Sequence, residues 1–248
     1  MKLKKLAAAL ALVATAPAFA SIALPNTGNG ELFAVVYDSV DQASYTLDLG
    51  VFIDNFNGNG SYSYTLGGAN WNGFVGAAGT DNLQFAVIGG DSTGQSVANP
   101  SRLFTTVNAA TTALTQQQLT NAASNTTVYA NNQVTVSANT THAGDATVNG
   151  SSWDVVGNNA YFLAQSMNTF NTVTAGAAWG NNNAAGTSAA FRSFSKVSTG
   201  GGTQALQTTY DGVWTLGQQQ GNWTLSYSVA AVPEPGSLAL MLAGLGAV

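Results

Sequence analysis

Apolar residues fall into short blocks with strand periodicity along most of the chain. Leu32-Phe33-Ala34-Val35-Val36-Tyr37 is an unbroken apolar run, suited to a strand covered on both faces. Tyr45, Leu47 and Leu49 alternate with Ser44, Thr46 and Asp48, and Tyr62, Tyr64 and Leu66 alternate with Ser61, Ser63 and Thr65. Leu83 to Ile88 is a second short run, closed by Gly89-Gly90. Near the C-terminus Trp223, Leu225, Tyr227 and Val229 alternate with Thr224, Ser226 and Ser228, which predicts a strand with the aromatic and aliphatic set facing the core. Gly, Asn, Asp or Pro clusters bound each block. Asn57-Gly58 and Asn59-Gly60 read as a hairpin turn between strands.

Helical signals are few. Thr115 to Ala123 can form a helix with Thr115 as N-cap and Gln118 completing a capping box. Ala160 to Phe170 has near-helical apolar spacing, whereas Gly176 to Gly186 and Gly200 to Gly202 read as loops. The pattern predicts one all-β domain over residues 21–231, a sandwich or jelly roll with one or two short helices.

Composition changes the picture at the surface. The chain has 248 residues and is 45% apolar but only 7% charged, against about 25% in ordinary soluble domains. Asn, Gln, Ser, Thr and Gly fill the difference, so the surface is polar without being charged. The net charge of −5 excludes a basic nucleic-acid binder. The absence of cysteine excludes disulfides, thiol catalysis and Cys-ligated zinc.

Both ends carry targeting features. Lys2, Lys4 and Lys5 precede a short apolar stretch, and Ala18-Phe19-Ala20 supplies the small-x-small pattern of signal-peptide cleavage, so residues 1–20 are expected to be removed. Residues 21–231 then hold three basic against ten acidic residues. At the other end Val232-Pro233-Glu234-Pro235-Gly236-Ser237 precedes a run from Leu238 to Val248 that is wholly apolar or Gly. Residues 232–248 resemble the PEP-CTERM sorting signal. The segments Gly30 to Asp38 and Ala43 to Gly50 are also similar to an opening hairpin that recurs in such proteins. The resemblance implies an exported protein, anchored transiently in the inner membrane through the tail. An exosortase-type transpeptidase would cut near Pro233-Glu234-Pro235 and release the protein to the cell surface or extracellular matrix. The tail departs from the family pattern: its 11 apolar residues make only about 16 Å of helix, and no basic cluster follows.

No residue set stands out as catalytic. Most acids occupy turns, where Asp bonds its own backbone; Asp48 and Asp154, in or beside apolar stretches, are the least trivial. His142 is the single histidine and has no triad or metal set around it. Asp54 to Gly60 fails the EF-hand pattern at Phe56 and Thr65; calcium in other acidic loops is the one cofactor left open. Trp71 and Trp179, flanked by Asn and Gly, read as exposed loop rings able to stack on sugars, while Trp214 and Trp223 read as core. The expected function is therefore a non-enzymatic surface or matrix protein associated with exopolysaccharide, with no metal. A secreted glycan hydrolase and a self-assembling structural subunit are the alternatives.

Overall fold

The computed structural model describes residues 22–95, 100–107, 113–134, 143–145, 150–163, 182–198 and 200–230. Its eleven strands are β1 (Glu31–Asp38), β2 (Ala43–Phe52), β3 (Tyr62–Leu66), β4 (Gln84–Gln95), β5 (Pro100–Val107), β6 (Ala143–Asp145), β7 (Ser151–Val155), β8 (Asn183–Ala184), β9 (Ser188–Ser195), β10 (Leu206–Gln219) and β11 (Asn222–Val229). Two α-helices accompany them, α1 (Gly68–Ala78) and α2 (Gln116–Val134). The strands form one antiparallel ladder in the order β3-β11-β10-β9-β5-β4-β1-β2-β7-β6, with β8 joined to the start of β4. The expected β domain is present, but the ladder does not divide into the two stacked sheets of a sandwich. The single sheet curls instead, and Tyr64 on edge strand β3 donates a hydrogen bond to the Leu49 carbonyl of β2 at 3.0 Å. The five strands expected from periodicity lie within β1, β2, β3, β4 and β11.

Curling gives the sheet two buried faces. The inner face packs Leu32, Ala34, Val36, Phe85, Phe191, Trp214, Leu225 and Tyr227 into one cluster that draws on both ends of the ladder. The outer face packs Phe33, Val35, Tyr37, Ile88 and Leu103 against Leu119, Ala122, Tyr129 and Ala130 of α2. All eight residues of β1 are buried, as its continuous apolar run predicts.

The polar row of β2, Ser44, Thr46 and Asp48, is buried as well, reached by Tyr129 of α2 and by the segment of residues 158–163. Thr46 Oγ1 and Tyr129 OH are 2.6 Å apart, Ser152 Oγ donates to Gln133 Oε1 at 2.6 Å, and Phe162 N donates to Ser44 Oγ at 3.0 Å. A helix carrying its own buried hydroxyl and amide makes this row satisfiable without water.

Helix α2 starts with the foreseen capping box: Gln118 N donates to Thr115 Oγ1, and Thr115 N donates to Gln118 Oε1 at 2.9 Å. It runs to Val134, eleven residues beyond the expected end, through Thr126 and Thr127, whose hydroxyls bond the carbonyls of Ala122 and Ala123.

Helix α1 corrects the reading of Trp71 and its Asn and Gly neighbours as loop. Its three glycines and two asparagines make it a poor helix in isolation, but Trp71, Phe74 and Ala78 share one buried face. A Cβ on Gly73 would sit 2.7 Å from Trp153 Nε1, so glycine lets the helix lie directly on β7.

The Asn57 to Gly60 segment turns as expected, with Gly60 N donating to Asn57 O. It is not a hairpin, because β2 and β3 do not pair. It carries the chain across to the far end of the ladder, where Tyr227 OH donates to Gly58 O at 2.8 Å.

Candidate functional site

Trp71 is 5% exposed. Its ring meets Tyr45 edge-on at 5.1 Å and lies 5.4 Å from Phe74 and 6.1 Å from Trp223. The reading of Trp71 as an accessible stacking platform is therefore wrong: the helix formed by its Asn- and Gly-rich surroundings turns the ring inward. Trp179, His142 and residues 164–170 lie outside the described residues, as do the signal segment with Ala18 and Ala20 and the sorting motif Val232, Pro233, Glu234 and Pro235. No helix among the described residues is long and apolar enough to cross a membrane.

Among the described residues, Trp223 is an aromatic ring that does reach a cleft. Strands β10 and β11 form a hairpin whose two loop residues, Gln220 and Gly221, both have positive φ (51° and 83°), the requirement of a type I′ turn. That turn fixes Trp223 opposite Gln218 on β10 and Leu66 on β3. The ring is half-buried against the inner core, and its remaining surface walls a cleft of about 440 Å³. Thr80 to Gln84, at the entry to β4, and Ala184 to Gly186 line the same cleft. Two backbone hydrogen bonds tie these segments down: Ala185 N donates to Leu83 O at 2.9 Å and Gly186 N to Leu216 O at 2.8 Å. Asn82 and Gln218 line the cleft and are exposed, Gln84 is half-buried, and Asp81 supplies one carboxylate. One aromatic face ringed by amides and a hydroxyl can bind a flat, hydroxyl-rich molecule.

The two non-trivial acids do not converge. Asp154 pairs with Ser44 across the β2–β7 ladder, so Asp48, four residues along β2, lies on the order of 13 Å away. Paired glycosidase carboxyls stand about 5–9.5 Å apart. Asp154 is 1% exposed and accepts a hydrogen bond from Asn158 Nδ2 at 2.6 Å. Asp48 sits at a bulge where β2 carries Leu49 and Gly50 as extra residues opposite Leu32 and Phe33 of β1. Its Oδ1 accepts Gly50 N at 2.8 Å, while Oδ2 has no hydrogen-bond partner. Burial pushes its carboxyl up to about 7, against the lowering effect of the Gly50 bond, and the nearby Glu31 adds to the rise.

The loop considered for calcium is tied down differently. Asp54 forms an ion pair with Arg102, which also reaches Asp91 Oδ2 at 3.3 Å and donates to Gly28 O at 3.1 Å. Among the described residues, no three His, Asp or Glu side chains gather closely enough to hold a metal ion.

The sequence places Trp223 in the core and Asp81 in a turn, and it gives no sign of Asn82, Gln84 or Gln218 as site residues. The Gln220-Gly221 turn signal was available. The approach of the residue 80–84 segment and β8 to that hairpin depends on sheet curvature. Comparisons of the chain with protein-family models, with curated proteins and with solved structures returned no match.

Proposed function

We propose that this is an exported, exosortase-sorted protein of the cell surface or extracellular matrix that associates with exopolysaccharide through the Trp223 cleft, without enzymatic action. The observation that carries the binding part is the half-buried Trp223 ring set among the amides of Asn82, Gln84 and Gln218 in an open cleft. The sorting part rests on the resemblance of Val232 to Ser237, and the apolar run after it, to the PEP-CTERM signal.

Self-assembly is the second reading, favoured by one feature. Strand β3 (Tyr62–Leu66) is a terminal strand of the ladder and carries no charged residue or proline, the usual devices that discourage strand addition.

Retention of the secreted domain on the host's own polysaccharide tests the proposal. Trp223→Leu keeps an apolar side chain against Trp71 but removes the aromatic face. Retention should fall to background while the thermal midpoint moves by only a few degrees. Unchanged retention in this variant, or retention only of self-associated material, would refute cleft binding in favour of assembly.

A further inference from the structure

The Trp223 cleft carries a charge as well as a ring. Asp81 lies exposed in the bend between α1 and β4 and lines the cleft together with Trp223. Among the described residues no hydrogen bond or ion pair engages its carboxylate. Other acids of the domain are already committed: Asp54 and Asp91 to Arg102, Asp154 to Asn158, and Asp48 and Glu31 to buried positions. The described lining holds no basic residue. Arg102 is held at its two aspartates, Lys196 is buried, and Arg192 of β9 is not among the residues around this cleft. One carboxylate beside one indole face therefore sets the electrostatics of the cleft.

We infer that the Trp223 cleft selects an amino sugar, so that the polysaccharide held there carries free, protonated amines. The inference rests on the saccharide-binding reading of this cleft and names its ligand class. An indole attracts a cation lying over its face, and an ammonium group donates charge-assisted hydrogen bonds that a carboxylate accepts. The amides of Asn82 and Gln218 and the hydroxyl of Thr80 suit the neighbouring hydroxyls of the sugar. A uronic acid in the same position would meet Asp81 as a like charge, which biases the cleft against it. The chain as a whole acts in the same direction. Ten acidic against three basic residues over 21–231 attract a polycation from a distance. That long-range field favours encounter with any cation, whereas Asp81 supplies the contact specific to this cleft.

A chitosan oligomer and its fully N-acetylated counterpart test the claim, because they differ only in the acetylation, and hence the charge, of the amine. At mildly acidic pH and low salt, the full-length secreted protein should bind the amine form about tenfold more tightly, the scale of one charge-assisted hydrogen bond. Added salt should shrink that ratio. Asp81→Asn, isosteric and at an exposed bend, should abolish the preference. Asp211→Asn removes an equal charge at an exposed position outside the cleft and should leave the ratio unchanged. Trp223→Leu should lose both oligomers. Equal binding of both by the unmodified protein, a preference that survives in Asp81→Asn, or an equal fall in both aspartate variants overturns the amino-sugar assignment and leaves the Trp223 reading standing. Retention of both oligomers by Trp223→Leu overturns the Trp223 reading. Binding of neither oligomer overturns the amino-sugar assignment, and retention on the host's polysaccharide then decides the Trp223 reading alone.

Discussion

Asp48 should make the protein less stable as pH rises from about 4 to 7. Its side chain is fully buried, Oδ2 has no partner, and burial raises its carboxyl to about 7. An unfolded Asp titrates near 3.9, so the folded state favours the protonated form by about three pH units, or ~4 kcal/mol at 1.36 kcal/mol per unit. A raised pKa contributes stability that is complete below the unfolded value and disappears as pH passes the folded one. The loss should therefore run between about pH 4 and pH 7. Glu31, 2% exposed and also raised by burial, acts in the same direction. Asp48→Asn removes the ionisation and keeps an oxygen to accept Gly50 N. Its amide N–H group takes the unpartnered Oδ2 position, at a cost of roughly 1–3 kcal/mol. The variant should then be more stable than the unmodified protein by ~1–3 kcal/mol at pH 8, and equal or less stable at pH 4. Urea denaturation at unit steps from pH 4 to pH 8 reads both curves. If the difference between the two proteins does not change sign or size across that range, Asp48 does not titrate as described.

Two further outcomes follow from the core and from the chain ends. Trp71→Ala should cost ~3–5 kcal/mol in chemical denaturation, as for a large ring removed from a packed core, and a loss below ~1 kcal/mol would contradict its burial. Intact-mass analysis of protein released from the cell surface should give a chain beginning at Ser21 and ending near Pro233; a soluble form retaining Leu238 to Val248 would refute the sorting proposal.

The curled sheet explains why the candidate clefts lie where they do. Strand β8 is two residues long and pairs only with Gln84 and Phe85 of β4. It occupies the side of β4 that β5 leaves open, since β5 begins to pair only at Ile88. The gaps beside this short strand become two clefts that share Ala184, the Trp223 cleft and one lined by Val107, Thr187 and Val213. The clefts thus lie where the ladder is least regular, as is common for sites on otherwise rigid scaffolds.

The sequence by itself determined the elements whose signal is local. The apolar run from Leu32 to Tyr37 marked a strand covered on both faces. The alternation from Trp223 to Val229 put Leu225 and Tyr227 in the core, both at most 1% exposed. Thr115 and Gln118 announced the start of α2. Each depends on neighbours within a few residues, so periodicity and capping chemistry suffice. Tertiary structure decided the rest. Residues 68–78 became a helix because β2 and β7 give Trp71 and Phe74 a place to be buried, overriding poor propensity. Thr224, expected on the side opposite the core set, is only 6% exposed, and the polar row of β2 is covered by Tyr129 of α2 and by the segment carrying Phe162. The sheet's curvature joined Asp81, Asn82, Gln218 and Trp223 into one cleft, bringing together positions some 140 residues apart in sequence. No local pattern encodes that approach, because it sums small twists over many strands.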